Sequence, residues 1–143
     1  MRDQDALAHL AAEYARCVDR KDPDGVAACY APNGVLRMVD RSAGDNVRGE
    51  LIGREQIART ISRLRYKSTF HFIGQQQTAV NGDSATGETY CIAHHLSVPD
   101  DGGSTTDLVM YIRYLDQFTR LDEGWRFAVR ELNIDWTENR TVE

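Results

Sequence analysis

Residues 107–134 read DLVMYIRYLDQFTRLDEGWRFAVRELNI, and how this stretch folds decides the architecture of the chain. Two strand-like runs flank Leu121-Asp122-Glu123-Gly124, a short polar connection closed by glycine, which is the pattern of a long antiparallel hairpin. Successive strand side chains alternate between faces. In the first arm Leu108, Met110, Ile112 and Tyr114 therefore share one face, and Val109, Tyr111, Arg113 and Leu115 the other. In the second arm Trp125, Phe127 and Val129 alternate with Arg126, Ala128 and Arg130, the last continuing into Leu132 and Ile134. Neither arm has a purely polar face, so both faces need cover. Helices are expected on one face and a partner subunit on the other, the second contact using Val109, Tyr111, Leu115 and Trp125.

Upstream, Leu7, Leu10, Tyr14, Cys17 and Val18 recur at helical spacing, predicting a first helix capped by Asp3 or Asp5 and ending near Arg20. Asp22-Pro23 pairs an N-cap with proline at the first helical position and starts a short second helix, stopped by Pro32-Asn33-Gly34. A strand over 35–39 follows, then a polar loop or hairpin tip over 40–48, and a third helix over 54–64. Strands are expected over 69–80 and 84–98, joined by Asn81-Gly82-Asp83, a strong hairpin turn. Residues 99–103 form a loop and 137–143 a polar tail. Helices first and antiparallel strands afterwards mean an α+β fold, one domain over 1–143, with three N-terminal helices packed on a curved antiparallel sheet.

The 143 residues carry a net charge of −5, 41% hydrophobic and 27% charged residues, ordinary values for a globular protein. This acidic balance argues against nucleic acid as a partner. No apolar run reaches the length of a membrane span, and the early acids do not resemble a signal peptide, so a cytoplasmic protein is expected. Three scattered cysteines, Cys17, Cys29 and Cys91, read as reduced thiols. No cofactor motif is present, and the histidines lack metal-ligand spacing: His94 and His95 are adjacent and point to opposite faces of a strand.

Function is sought where a polar residue interrupts an apolar face, because burying it without a partner is costly. Asp19 near the end of the first helix, His71 within Phe70-His71-Phe72-Ile73, His94 on a face with Tyr90, Ile92 and Leu96, and Arg130 beside Leu132 and Ile134 all qualify. Each also has a structural reading. Asp19 can pair with Arg20 or Lys21, His71 can be a core histidine bonded to backbone, and Arg130 can pair with Asp116, Glu131 or Asp135. Arg37, sharing a strand face with Val35 and Val39, is a further candidate cation.

Taken together, the order of elements resembles the cone-shaped nuclear transport factor 2-like (cystatin-like) fold. More narrowly it resembles the SnoaL-like family, which includes scytalone dehydratase, bile acid dehydratase and lindane dehydrochlorinase. The residues that carry the resemblance are Tyr14-Ala-Arg-Cys-Val-Asp19, Leu51-Ile-Gly-Arg-Glu, His71, Tyr114-Leu-Asp116-Gln-Phe118 and Gly124-Trp125-Arg-Phe127-Ala-Val-Arg130. The resemblance implies a catalytic pair of His71 and Asp19, with Tyr14 as a proton or hydrogen-bond donor and Arg130 lining the pocket. Tyr30 and His94 are the positions nearest the family's further tyrosines and second histidine. Tyr90, Ile92, Met110 and Ile112, with Arg37, are expected to line the rest. Five residues separate Tyr14 from Asp19, about 140° around a helix, so the two share a site only if it wraps the helix end.

The implied function is a cofactor-independent, metal-free lyase of dehydratase type. Its substrate would be a small hydrophobic ring-bearing molecule, and the protein a homodimer or homotrimer. The same pair would also serve an isomerase, epimerase or polyketide cyclase. The fold also serves as a non-catalytic binding or assembly module, or as the small subunit of an iron-dependent ring-hydroxylating dioxygenase.

Overall fold

The structure, a computed structural model, describes residues 1–44 and 46–143. Its elements run α1 (Asp3–Asp19), α2 (Pro23–Ala28), β1 (Tyr30–Asp40), a 3-10 turn (Arg41–Ala43), β2 (Asn46–Ile52), α3 (Arg54–Ser62), β3 (Ser68–Asn81), β4 (Ser84–Ser97), β5 (Thr105–Leu121) and β6 (Gly124–Val142). The strands form one six-stranded sheet in the order β2-β1-β6-β5-β4-β3. All neighbours are antiparallel except β1 and β6, which run parallel. The hairpin of β5 and β6 is the centre of this sheet. Among the described residues no helix is long and apolar enough to cross a membrane.

The helices cover the inner face of the sheet. The stripe of α1 buries Leu7, Leu10, Tyr14, Cys17 and Val18, and these meet Ile112, Tyr114, Phe118 and Phe127 from the hairpin. Fully burying a Leu or Phe side chain stabilises by about 1.5–3 kcal/mol. At the start of α2, Asp22 accepts a hydrogen bond from the Gly25 N–H at 3.0 Å, the cap that Asp22-Pro23 predicts.

Several expectations are corrected. The first helix has Arg2 at its N-cap with no side-chain cap. Asp3 is occupied elsewhere, accepting from Arg120 (2.6 Å) and from the Trp125 indole N–H (3.1 Å). Trp125 is therefore buried against the start of α1, and Val109 is also buried, so neither is free to meet a partner subunit. The stretch over 40–48, read as a loop or hairpin tip, is the tip of the antiparallel β1–β2 hairpin, with the 3-10 turn and the start of β2 in it and Asp45 outside the described residues. The polar tail over 137–143 is largely strand: β6 continues to Val142, pairing with β5 as far as Thr105.

Two irregularities in β6 re-aim its side chains. Gln117 pairs with Val129 but Phe118 with Phe127, so Ala128 is an extra residue; Asp135 is another, between the Tyr111–Trp136 and Ile112–Ile134 pairs. Such bulges shift the alternation by one. Strict alternation puts Phe127 and Arg130 on opposite faces. The bulge at Ala128 brings both inward.

Candidate active site

Asp19 closes α1. Beyond it the Lys21 N–H bonds the Val18 carbonyl (3.1 Å) and the Asp22 N–H bonds the Cys17 carbonyl (2.9 Å). This pair of bonds ends a helix around a left-handed residue, usually glycine. Here that residue is Lys21, at φ 55°. The turn leaves the Asp19 carboxylate facing β3, where it accepts three hydrogen bonds: from the Thr69 hydroxyl (2.9 Å), the His71 backbone N–H (3.0 Å) and the His71 ring Nδ1 (2.7 Å). The His71 side chain is 7% exposed and that of Asp19 26%. Burial pushes the Asp19 carboxyl up, but the hydrogen bonds from His71 and Thr69 outweigh it and hold it below its ordinary value. An ionised carboxylate can only accept, so Nδ1 donates to it, and in the neutral ring Nε2 keeps its lone pair.

A residue missed in the sequence completes this corner. His95 lies with its ring centroid 5.8 Å from that of His71, and Tyr66 covers it at 4.8 Å. Its Nδ1 donates to the Leu108 carbonyl at 2.9 Å. Burial lowers its pKa, against the raising effect of that carbonyl, which favours the neutral ring. Beside this corner is a cavity of about 160 Å³, bordered by Val18, Lys21, Ile61, Leu64, Tyr66 and Thr69.

His94 is not part of it. His71 pairs with Ala93, whereas Phe70 pairs with His94 and Phe72 with Ile92. Tyr90, Ile92 and His94 thus project from the outer face of the sheet, contrary to the expectation that they line the cup. His94 has its own carboxylate, Asp107, at 2.6 Å. Tyr90 and Ile92 border an outer groove of about 470 Å³ with Phe72, Tyr111, Arg113 and Trp136. Arg37 is also outside the cup, ion-paired to Glu50 (2.9 Å) and Glu131 (3.2 Å) across the edge strands.

Arg130, Tyr14 and Tyr30 form a second cluster inside the cone. The Arg130 guanidinium binds Asp116 at two points and lies against the rings of Tyr114 (3.7 Å), Phe127 (4.2 Å) and Tyr14 (4.4 Å). Tyr14 also meets Tyr30 and Tyr114 edge-on. Tyr14 therefore belongs with Arg130, while Asp19 belongs with His71; the angular separation along α1 divides them. The Arg130 Nη1 and the hydroxyls of Tyr30 and Tyr114 are buried without a partner among the described residues. Between the two clusters lie Cys91 and Ile112, paired across β4 and β5, with Met110 opposite Ala93 nearer His71. Burial raises the Cys91 thiol to about 11. Among the described residues no group of three or more His, Cys, Asp or Glu side chains is placed to hold a metal ion.

The model of the SnoaL-like domain family matches residues 1–131. No curated protein matches the sequence. Among solved structures, a protein provisionally named a scytalone dehydratase from Novosphingobium aromaticivorans superposes with a TM-score of 0.78 at 19% identity, covering 98% of this chain and 89% of that one. A hexachlorocyclohexane dehydrochlorinase of type 3 from Novosphingobium barchaimii gives 0.77 at 15% identity, covering 96% and 89%. A nuclear transport factor 2-like protein with a cystatin-like fold, also from N. aromaticivorans, gives 0.68 at 22% identity, covering 92% and 81%. At these identities the likenesses establish the fold: three helices on a curved sheet, of the nuclear transport factor 2-like type.

Proposed function

The chain belongs to the SnoaL-like domain family, and from that premise we propose that it is a cofactor-independent lyase of dehydratase type, with Asp19 and His71 as its acid–base dyad. The observation that carries this reading is the 2.7 Å bond between His71 Nδ1 and Asp19 Oδ1. Two further donors hold that carboxylate in place. With Nδ1 committed to Asp19, Nε2 takes a proton from carbon beside a carbonyl or a leaving group. Asp19 stabilises the imidazolium that forms. The imidazolium then returns the proton to the departing hydroxyl. The C–H and C–O bonds break, a C=C bond forms, and water leaves. A positioned base of this kind contributes about 10²–10⁴ in rate.

The substrate class is a small molecule with an apolar ring. Arg130, with its unpartnered Nη1, and the buried hydroxyls of Tyr30 and Tyr114 place unsatisfied polar groups on the inner face of the sheet, and Tyr14 packs the guanidinium in place. The outer groove, where Phe72, Ile92 and Trp136 are exposed, receives a second copy of the chain. Three unpaired buried thiols suit a reducing compartment such as the cytoplasm.

The test is turnover of a panel of hydroxylated and halogenated alicyclic ketones, read by product mass. Loss of water or hydrogen halide is expected, abolished by His71→Ala with circular dichroism unchanged. A product of unchanged mass would assign isomerisation instead. Activity retained in His71→Ala would sink the dyad.

A further inference from the structure

The net charge of the chain is −5, yet among the described residues five of the six cations without a carboxylate partner gather at one place. Arg2, Arg16, Arg37, Arg41, Arg48, Arg54, Arg59, Arg113, Arg120, Arg130 and Arg140 each have a carboxylate partner. Arg126, at the start of β6 and away from the others, also lacks one and donates to the backbone carbonyls of Trp125 and Glu123. The cations that remain are Arg20, Lys21, Arg63, Arg65 and Lys67, all exposed and none with a carboxylate partner among the described residues. Both lysines of the chain are among them.

These residues sit on the turn after α1 and on the segment joining α3 to β3. The two segments are tied together by a bond from Lys21 Nζ to the Lys67 carbonyl at 3.1 Å. The same segments border the cavity beside Asp19: Lys21 lines it directly, Leu64 lies between Arg63 and Arg65, and Tyr66 between Arg65 and Lys67. The carboxylates nearest in sequence, Asp19, Asp22 and Asp24, are three against these five cations. Asp19 is committed to His71 and Thr69, and Asp22 to the Gly25 N–H. Asp24 lies in the first turn of α2. Arg20 and Arg63 are the C-caps of α1 and α3, where a cation also offsets the negative helix end. Lys21, Arg65 and Lys67 have no such duty.

We propose that the ligand of this cavity is amphipathic: its apolar ring enters toward His71 while an anionic group, carboxylate or phosphate, remains outside against the rim formed by Lys21, Arg63, Arg65 and Lys67. The proposal rests on the reading of this cavity as the substrate site. Converging unpaired cations raise the local concentration of an anionic ligand and strengthen its binding, an effect that salt screens. The apolar border made by Val18, Ile61, Leu64 and Tyr66 takes the ring.

The full-length chain, isotope-labelled for amide NMR, is titrated with cyclohexylmethanol, cyclohexanecarboxylate and cyclohexylmethyl phosphate. At least one anion is expected to bind about tenfold more tightly than the neutral alcohol. The amides of Lys21, Tyr66 and Thr69 should shift, and the advantage should vanish near 1 M salt, where the screening length is about 3 Å. Comparison of the two anions tells which group the rim selects. Arg63→Gln/Arg65→Gln/Lys67→Gln should abolish the preference, while Arg48→Gln, on β2 at the opposite edge of the sheet, should leave it intact. Equal binding of all three compounds, shifts elsewhere only, or a preference that survives in the triple variant would overturn the proposal. Because the readout is binding, failure of the dyad in the turnover assay leaves this result standing on its own.

Discussion

Arg130 and Asp116 meet across β5 and β6 as a two-point ion pair, at 2.9 and 3.0 Å, with neither side chain exposed. Three aromatic rings surround the guanidinium, so without the carboxylate the cation is left in an apolar surround. Asp116→Asn removes the countercharge and strands the cation. It should destabilise the fold by about 3–5 kcal/mol, whereas Arg130→Met combined with Asp116→Leu should cost much less. Chemical denaturation of the single and double variants measures both.

The hydrogen bonds on Asp19 have a consequence for acid stability. Burial raises its pKa, but the His71 and Thr69 bonds win, so the folded value lies below the ordinary 3.8. A depressed folded pKa means that the stabilisation is fully present above the unfolded value and is lost as pH falls through the folded one. Asp19→Asn should therefore flatten part of the acid limb of unfolding free energy below about pH 4. An unchanged limb would mean that these bonds contribute nothing to stability.

The same substitution separates the chemistry from the scaffold. With Asn at 19 the His71 ring loses its charged partner and the support for the imidazolium formed during the reaction. Turnover should drop by about 10²–10⁴ while the fold persists.

His95 gives a second pH window. Burial depresses its pKa, which favours the neutral ring in the fold. Its contribution is complete above the unfolded histidine value, near 6.5, and fades as pH falls through the lower folded value. Melting temperature should decline below that pH in the parent protein and decline less in His95→Gln.

On the outer face, Phe72 is 62% and Trp136 53% exposed beside Tyr90 and Ile92. Trp136→Glu places a charge in the middle of that groove. A smaller species by sedimentation, with the circular dichroism spectrum unchanged, is the expected outcome; an unchanged mass would remove this face as a self-contact.

The pairing of Asp19 with His71 was legible because the resemblance located both residues and their chemistry required a contact. Choosing between His94 and His95 was not, for two reasons. The outer face of β4, with Tyr90 and Ile92, is as apolar as a core face, so apolarity could not tell inside from outside. Register was hidden too. Asn81 pairs with Ser84 and Gln76 with Thr89, but Ile73 pairs with Cys91, so one residue near Gly74 and Gln75 is extra. Counted from the turn without that bulge, His71 falls opposite His94; with it, opposite Ala93. The inner residues of β4 are mostly small: Ala85, Gly87, Thr89, Cys91 and Ala93. They leave room for the hairpin's aromatic rings, as Gly87 does where an added Cβ would lie 2.9 Å from Phe118. That pattern of small residues was the available signal. The bulge at Ala128 that turns Arg130 inward left no comparable mark in the hydrophobic pattern.

The two tryptophans give the molecule a built-in pair of optical reporters. Trp125 is buried, its indole N–H held by Asp3 at the start of α1 and its ring covered by Arg120 at 4.6 Å. Trp136 is stacked on Tyr111 at 4.5 Å and open to solvent on the outer face. Iodide should quench the second and spare the first. Loss of blue emission would signal release of the N-terminal helix, and shielding from iodide the covering of the outer groove, so one fluorescence spectrum reads two unrelated events.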